Sequence, residues 1–174
     1  MDKLVRADRQ NKFQSINKLF SERIEALKYY YTPDNMAFFG SSEKELMVRL
    51  SYHLREAEYD ASFAMLATIE SALRYDAEYR HKKRLKDQRS QAVSQLLKQV
   101  QYPSYRYVKT SKIVATLIHD GSVPQHTLSL LKRYFKYRNW LAHGRYWEPD
   151  FGEDTPVFSD IYQLALEIEA ILYH

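Results

Sequence analysis

Apolar residues recur at steps of three and four over most of this chain, the spacing of helices with one buried face. Phe13, Ile16, Leu19, Phe20, Ile24 and Leu27 form the first such stripe and predict a helix from about residue 3 to 30. Tyr31-Thr32-Pro33-Asp34-Asn35 ends it, and a loop leads to Ser42. Ser42 and Glu45 have the spacing of a capping box, in which each side chain satisfies the other's backbone N–H. The helical region that follows reaches about residue 84, either continuous or kinked. Its centre, residues 62–73, is apolar nearly all round and should be buried on several sides. Further helices are expected at about 87–101, 111–119 and 125–143, and a last one at 159–173 with Ser159 as its N-cap. Pro103, Gly121 with Pro124, and residues 144–158 read as loops. The pattern predicts an all-α protein, a compact helical bundle of about five to seven helices.

The 174 residues suffice for one domain with a real core, and no repeat or long linker divides them. Residues 1–40 read as a candidate N-terminal helical extension of that single domain 1–174. No apolar run approaches membrane-spanning length, and Met1-Asp2-Lys3-Leu4 lacks the apolar core of a signal peptide. A cytoplasmic protein with no membrane contact is the expectation. The absence of cysteine excludes disulfides and thiolate metal sites. His53, His81, His119, His126 and His174 show no zinc-ligand spacing, and no phosphate loop, nucleophile elbow or dinucleotide fingerprint is present. Neither a metal nor a cofactor is expected.

Charge is unevenly spread. Residues 74–112 carry eleven Lys or Arg against three acids, and residues 129–146 carry five basic residues and no acid. From Trp147 onward there are seven acids and no Lys or Arg. A basic surface of this kind can follow a phosphate backbone; alternatively, residues 80–89 are only a solvated helix face. The stretch 101–109 interleaves tyrosines with basic residues. Tyr105 and Arg106 could stack an unpaired base and hold a phosphate, or pack the loop onto the bundle. Trp140 and Trp147 read as packing residues.

The chemistry concentrates in Arg138-Asn139-Trp140-Leu141-Ala142-His143-Gly144. Histidine moves protons near neutral pH, and arginine presents a planar, permanently charged fork that fits phosphate. Leu128, Leu131, Phe135 and Ala142 mark an apolar line on which Arg138 also falls, so this charge needs a partner. Glu70, in the nearly all-apolar stretch, could fix the Arg138 guanidinium; a simple i,i+4 pair with Arg74 competes with that reading. Lys132, Lys136, Asn139 and His143 form a second, basic row. Gly144 is placed to end the helix at His143 as a left-handed residue. Residues five apart on a helix diverge by about 140°, so Arg138 and His143 do not converge unaided. A second subunit, or a relaxed last turn, would bring them together. The plainer alternatives are an ion pair or cap for Arg138 and a dipole-favoured helix-end cation for His143.

Arg138, Asn139 and His143 resemble the R-x4–6-H signature of the HEPN superfamily, in its R-N-x-x-x-H form. The specific resemblance covers residues 123–147, and the helical layout from Ser42 onward is compatible with it. It implies a small helical bundle and a metal-independent endoribonuclease in which two subunits line one cleft. His143 would then be the general acid or base, Arg138 would stabilise the phosphoryl group, and Asn139 would orient its neighbours. Lys132, Lys136, Arg145, Tyr146, Tyr105 and Arg106 would contact RNA. The resemblance extends to toxins and phage-defence effectors, hence to a homodimer and to an antitoxin or regulatory protein as partners. Toxins paired with nucleotidyltransferase antitoxins carry R-x4-H-x-Tyr, whereas Tyr146 stands one place later. A non-catalytic RNA- or nucleotide-binding module of the same fold, and a helical protein-interaction subunit, are the other two readings.

Overall fold

Two long helices set the frame of the computed structural model, which describes residues 3–99, 108–119, 121, 123–145 and 155–173. The first, α1, spans Lys3–Tyr30, and α2 spans Glu43–Lys82. Neither Gly nor Pro interrupts residues 43–82, and α2 runs unbroken over its 40 residues, a length of about 60 Å. Its start is the expected capping box: Ser42 Oγ accepts from Glu45 N–H at 3.3 Å, and the Glu45 carboxylate accepts from Ser42 N–H at 2.8 Å. The connection from α1 is ordered by its own chemistry. Asn35 Oδ1 accepts from Ala37 N–H at 3.0 Å and caps a 3-10 turn at Met36–Phe38. That turn buries Phe38 against Tyr30 and Tyr31.

Four shorter helices complete the bundle among the described residues: α3 (Gln88–Lys98), α4 (Thr110–Thr116), α5 (Gln125–Ala142) and α6 (Phe158–Tyr173). The structure is all-helical, with α4 passing directly into a 3-10 turn at Leu117–His119. α2 packs against each of the other five helices. This central position explains why residues 62–73 are apolar nearly all round. Met65, Leu66, Ile69 and Leu73 of α2 meet Leu131 and Tyr137 of α5, and Ile161 and Ile168 of α6, in one core. α1 reaches the same core through Phe13, which is 1% exposed. No described helix is long and apolar enough to cross a membrane.

Several expectations need correction. Leu19 is not on the buried face of α1 but 64% exposed. The buried row of α5 is Leu128, Leu131, Tyr134, Tyr137 and Trp140; Ala142 is exposed and Phe135 only partly covered. Tyrosine carries a large apolar body with a polar tip, so a reading that leaves out the tyrosines shifts the face by one row. Ser159 is not the cap of α6. The helix begins a residue earlier, with Val157 C=O accepting from Asp160 and Ile161 N–H, and with Phe158 N–H donating to Glu58 Oε1 at 3.0 Å. α3 is capped by Asp87 and ends at Lys98, with residues 100 and 101 outside the described set.

The basic run at residues 80–89 is not simply a solvated face. The Arg89 side chain is 1% exposed and its Nη2 lies 2.6 Å from Asp76 Oδ2. The same oxygen accepts from Arg80 Nε at 2.9 Å, and Arg80 Nη1 donates to Asp87 Oδ1 at 3.1 Å. This cluster ties the N-terminus of α3 to α2. Asp76→Ala strands the buried Arg89 guanidinium without its carboxylate and should cost about 3–5 kcal/mol, whereas Arg89→Ala leaves Asp76 paired with Arg80 and should cost less. Exposed Lys83→Ala should stay within about 0.5 kcal/mol of the parent. Urea denaturation of the three variants checks the contrast, and equal midpoints would contradict it.

Candidate functional site at the end of the motif helix

The end of α5 is built by glycine. His143 is the C-cap, Gly144 has φ +81° and Arg145 has φ +60°. Gly144 N–H donates to Leu141 C=O at 3.4 Å, and Arg145 N–H donates to Trp140 C=O at 3.2 Å. These two bonds form a Schellman motif, which satisfies carbonyls that the helix end would otherwise leave open. Helix geometry therefore holds through Ala142, so Arg138 and His143 stay about 140° apart around the axis. His143 is exposed, as are Asn139, Lys132 and Lys136. Trp140, next to this row, is packed into the core, stacked on Tyr137 with centroids 5.8 Å apart and edge-on to Tyr59 at 5.8 Å. Burial raises the Tyr137 phenol well above its ordinary pKa.

Arg138 faces α2. Its Nη2 makes an ion pair with Glu70 Oε2, and its Nη1 donates to Asn139 Oδ1 at 3.0 Å. Glu70 also holds Arg74: Oε1 accepts from Arg74 Nη2 at 2.8 Å and from Nε at 3.1 Å. The two candidate partners of Glu70 are thus both engaged at once. Thr110 Oγ donates to Glu70 Oε1 and accepts from Arg74 Nη2 at 2.7 Å, while Arg74 Nη1 donates to Val108 C=O at 2.7 Å. One carboxylate so joins α2, the start of α4 and the motif helix. The side chains are mostly shielded: Glu70 is 13% exposed and Arg138 is 23% exposed. Burial pulls both guanidinium pKa values below the ordinary arginine value, yet arginine stays charged in proteins. The Arg138 Nε is buried with no hydrogen-bond partner among the described residues.

Arg145 is placed differently from the other basic candidates. Its guanidinium forks onto Glu56, Nη1 to Oε1 at 2.7 Å and Nη2 to Oε2 at 2.9 Å. It also lies over the Tyr59 ring, 4.7 Å from the centroid. Glu56 raises its pKa, through the hydrogen bond first and charge second. This pairing across 89 residues was missed in the sequence, where no local spacing connects Glu56 to Arg145. A groove of about 320 Å³ runs beside it, lined by Glu56, Tyr59, Asp60 and Phe63 of α2 and by Leu141 and Ala142 of α5. Tyr105, Arg106, Tyr146 and Trp147 lie outside the described residues. Among the described residues no three His, Asp or Glu side chains converge to hold a metal ion.

No protein-family model matches the chain, and no curated protein or solved structure does. The site has to be read from its own geometry. One helix end presents an exposed imidazole, an exposed amide and an anchored guanidinium, beside two exposed lysines.

Two substitutions test this construction. Glu70→Ala leaves two largely buried cations without their carboxylate and should destabilise the fold by about 3 kcal/mol. Gly144→Ala places a Cβ on a left-handed residue and should cost about 1–2 kcal/mol. Thermal and urea melts measure both, and a Gly144→Ala protein as stable as the parent would exclude the Schellman ending.

Proposed function

We propose that the protein is a metal-independent endoribonuclease of HEPN type, working as a two-fold dimer, with a toxin or phage-defence role. The observation that carries this reading is the anchoring of Arg138. A charge-assisted bond to Glu70 and a hydrogen bond to Asn139 fix its guanidinium on the helix that ends in exposed His143. Preorganised cations are what phosphoryl transfer needs, because they stabilise developing charge without reorganising. Lys132 and Lys136 leave the outer face of α5 cationic, in favour of a polyanionic substrate.

RNA supplies its own nucleophile, the 2′-hydroxyl. His143 takes that proton as the oxygen attacks the adjacent phosphorus. The bond to the 5′-oxygen breaks, and the departing oxygen takes a proton from the second His143 of the dimer. The product ends are a 2′,3′-cyclic phosphate and a free 5′-hydroxyl. Arg138 offers its outer N–H groups to the phosphoryl oxygens. The divergence of Arg138 from His143 on one helix is the reason for two subunits, since an isologous pairing brings both motifs to one cleft.

A second reading has one observation in its favour. Arg138 is more enclosed than a freely accessible phosphate ligand, and its pairing with Glu70 also serves the fold. On that reading the chain is a non-catalytic RNA- or nucleotide-binding module, or a helical interaction subunit.

Cleavage of single-stranded RNA should persist in excess chelator and leave cyclic phosphate ends. His143→Ala should lose about 100-fold or more in rate while RNA binding survives. Arg138→Lys should also be impaired, because an ammonium does not reproduce the fork. Lys132→Ala and Lys136→Ala should weaken binding and flatten its salt dependence. Circular dichroism and melting on each variant separate lost chemistry from lost fold. A His143→Ala protein that cleaves at the parental rate would remove the assignment and leave the binding module. Light scattering at micromolar concentration tests the dimer, and a strict monomer would defeat the shared cleft.

A further inference from the structure

The row Lys44, Val48, Ser51, Arg55, Glu58, Ser62, Met65 and Ile69 advances along α2 in strict alternation of four and three. Residues at this spacing lie along one line of a helix and form the seam on which a second helix packs. The C-terminal half of the seam is covered. Ser62, Met65 and Ile69 are each 0% exposed. α6 packs against α2 and starts where Glu58 accepts from Phe158 N–H. Among the described residues no helix lies on the N-terminal half. Met47, Val48 and Tyr52 are 63%, 64% and 52% exposed, and with Lys44, Ser51 and Arg55 they line one open depression of about 460 Å³.

We propose that this uncovered half of the seam, residues 44–55, docks an acidic amphipathic helix from a partner protein. Continuity with the α2–α6 interface is the first argument. The same line of the same helix already takes helices in this fold, α6 where Phe158 meets Glu58 and α5 where Tyr137 meets Ser62. The chemistry of α6 is the second. α6 carries Asp160, Glu167 and Glu169 and no Lys or Arg, around the buried row Ile161, Leu164, Ala165 and Ile168.

Charge complementarity is the third argument. Among the described residues the depression has no acid in its lining, a cation at each end and apolar side chains between. Neither Lys44 nor Arg55 has an ion-pair partner among the described residues. Their separation of eleven residues is about 16 Å along the helix, three turns. A partner helix of that length, with apolar residues at i, i+3, i+4 and i+7 and a carboxylate near each end, matches both features. The helix-in-groove mode of recognition uses such anchors. The surface is independent of the Arg138–His143 chemistry, so its test does not depend on any activity.

Two fluorescein-labelled 16-residue amphipathic peptides serve as probes, identical in their apolar row, one with two Glu eleven residues apart flanking that row and one with Lys at the same two positions. Anisotropy titrations on the full chain should show the acidic peptide binding at least tenfold more tightly. Lys44→Glu with Arg55→Glu should invert that preference, and Val48→Asp should weaken the acidic peptide at least tenfold. All three positions are exposed, so the melting temperature should not move, and melts verify it. Three results would overturn the proposal. In the first, neither peptide binds, or both bind equally. In the second, phosphatidylserine vesicles bind through residues 44–55 while the acidic peptide does not, making the face a lipid surface. In the third, the parent is a dimer that Val48→Asp dissociates, so a second copy is the occupant.

Discussion

The contact between Glu70 and Arg138 is the constraint that the motif end of the bundle depends on. An arginine near an apolar seam is tolerated only with a partner, and here the partner is shared. Glu70 serves Arg138 from α5 and Arg74 from its own helix, and Thr110 at the start of α4 closes the ring. Two cations and one anion leave one net positive charge in a mostly shielded place. The Arg138 Nε, buried and without a partner among the described residues, adds to the cost of that arrangement. Replacing such a group by apolar side chains is often neutral for stability. A charged solution at this point therefore favours a reason beyond packing, and the proposed phosphoryl contact supplies one.

The same arrangement shows how much of the fold the sequence could express. Local rules were legible. Ser42 and Glu45 marked the start of α2, Gly144 marked the end of α5, and the apolar fullness of residues 62–73 marked the element that every other helix packs on. Features that depend on distant residues were not legible. Glu56 meets Arg145 across 89 positions, and Arg89 reaches Asp76 under a run of charges that looks solvated from composition alone. Between these limits lies the tyrosine-rich face of α5. Tyr134 and Tyr137 are almost fully buried, and a reading built on Leu, Phe and Ala passes over them. Glu70 was the intermediate case. Both of its partners could be named, but only the fold shows that they are not alternatives.

The acids near the motif illustrate a further division of labour. Glu56 is held by Arg145, Asp60 by Arg23 at 2.8 Å, and Glu70 by Arg74 and Arg138. The α2 wall beside the helix end is thus acidic in residue type but neutralised in pairs. Exposed pairs such as Arg23–Asp60 add little stability, yet they cancel charge at longer range. Lys132 and Lys136 of α5 have no ion-pair partner among the described residues and stand on its exposed face. On the ribonuclease reading proposed above, the lysines would set affinity and salt dependence, and Arg138 would act on the phosphoryl group. Exposure alone would separate the two roles, because a screened surface lysine and a shielded guanidinium respond differently to ionic strength.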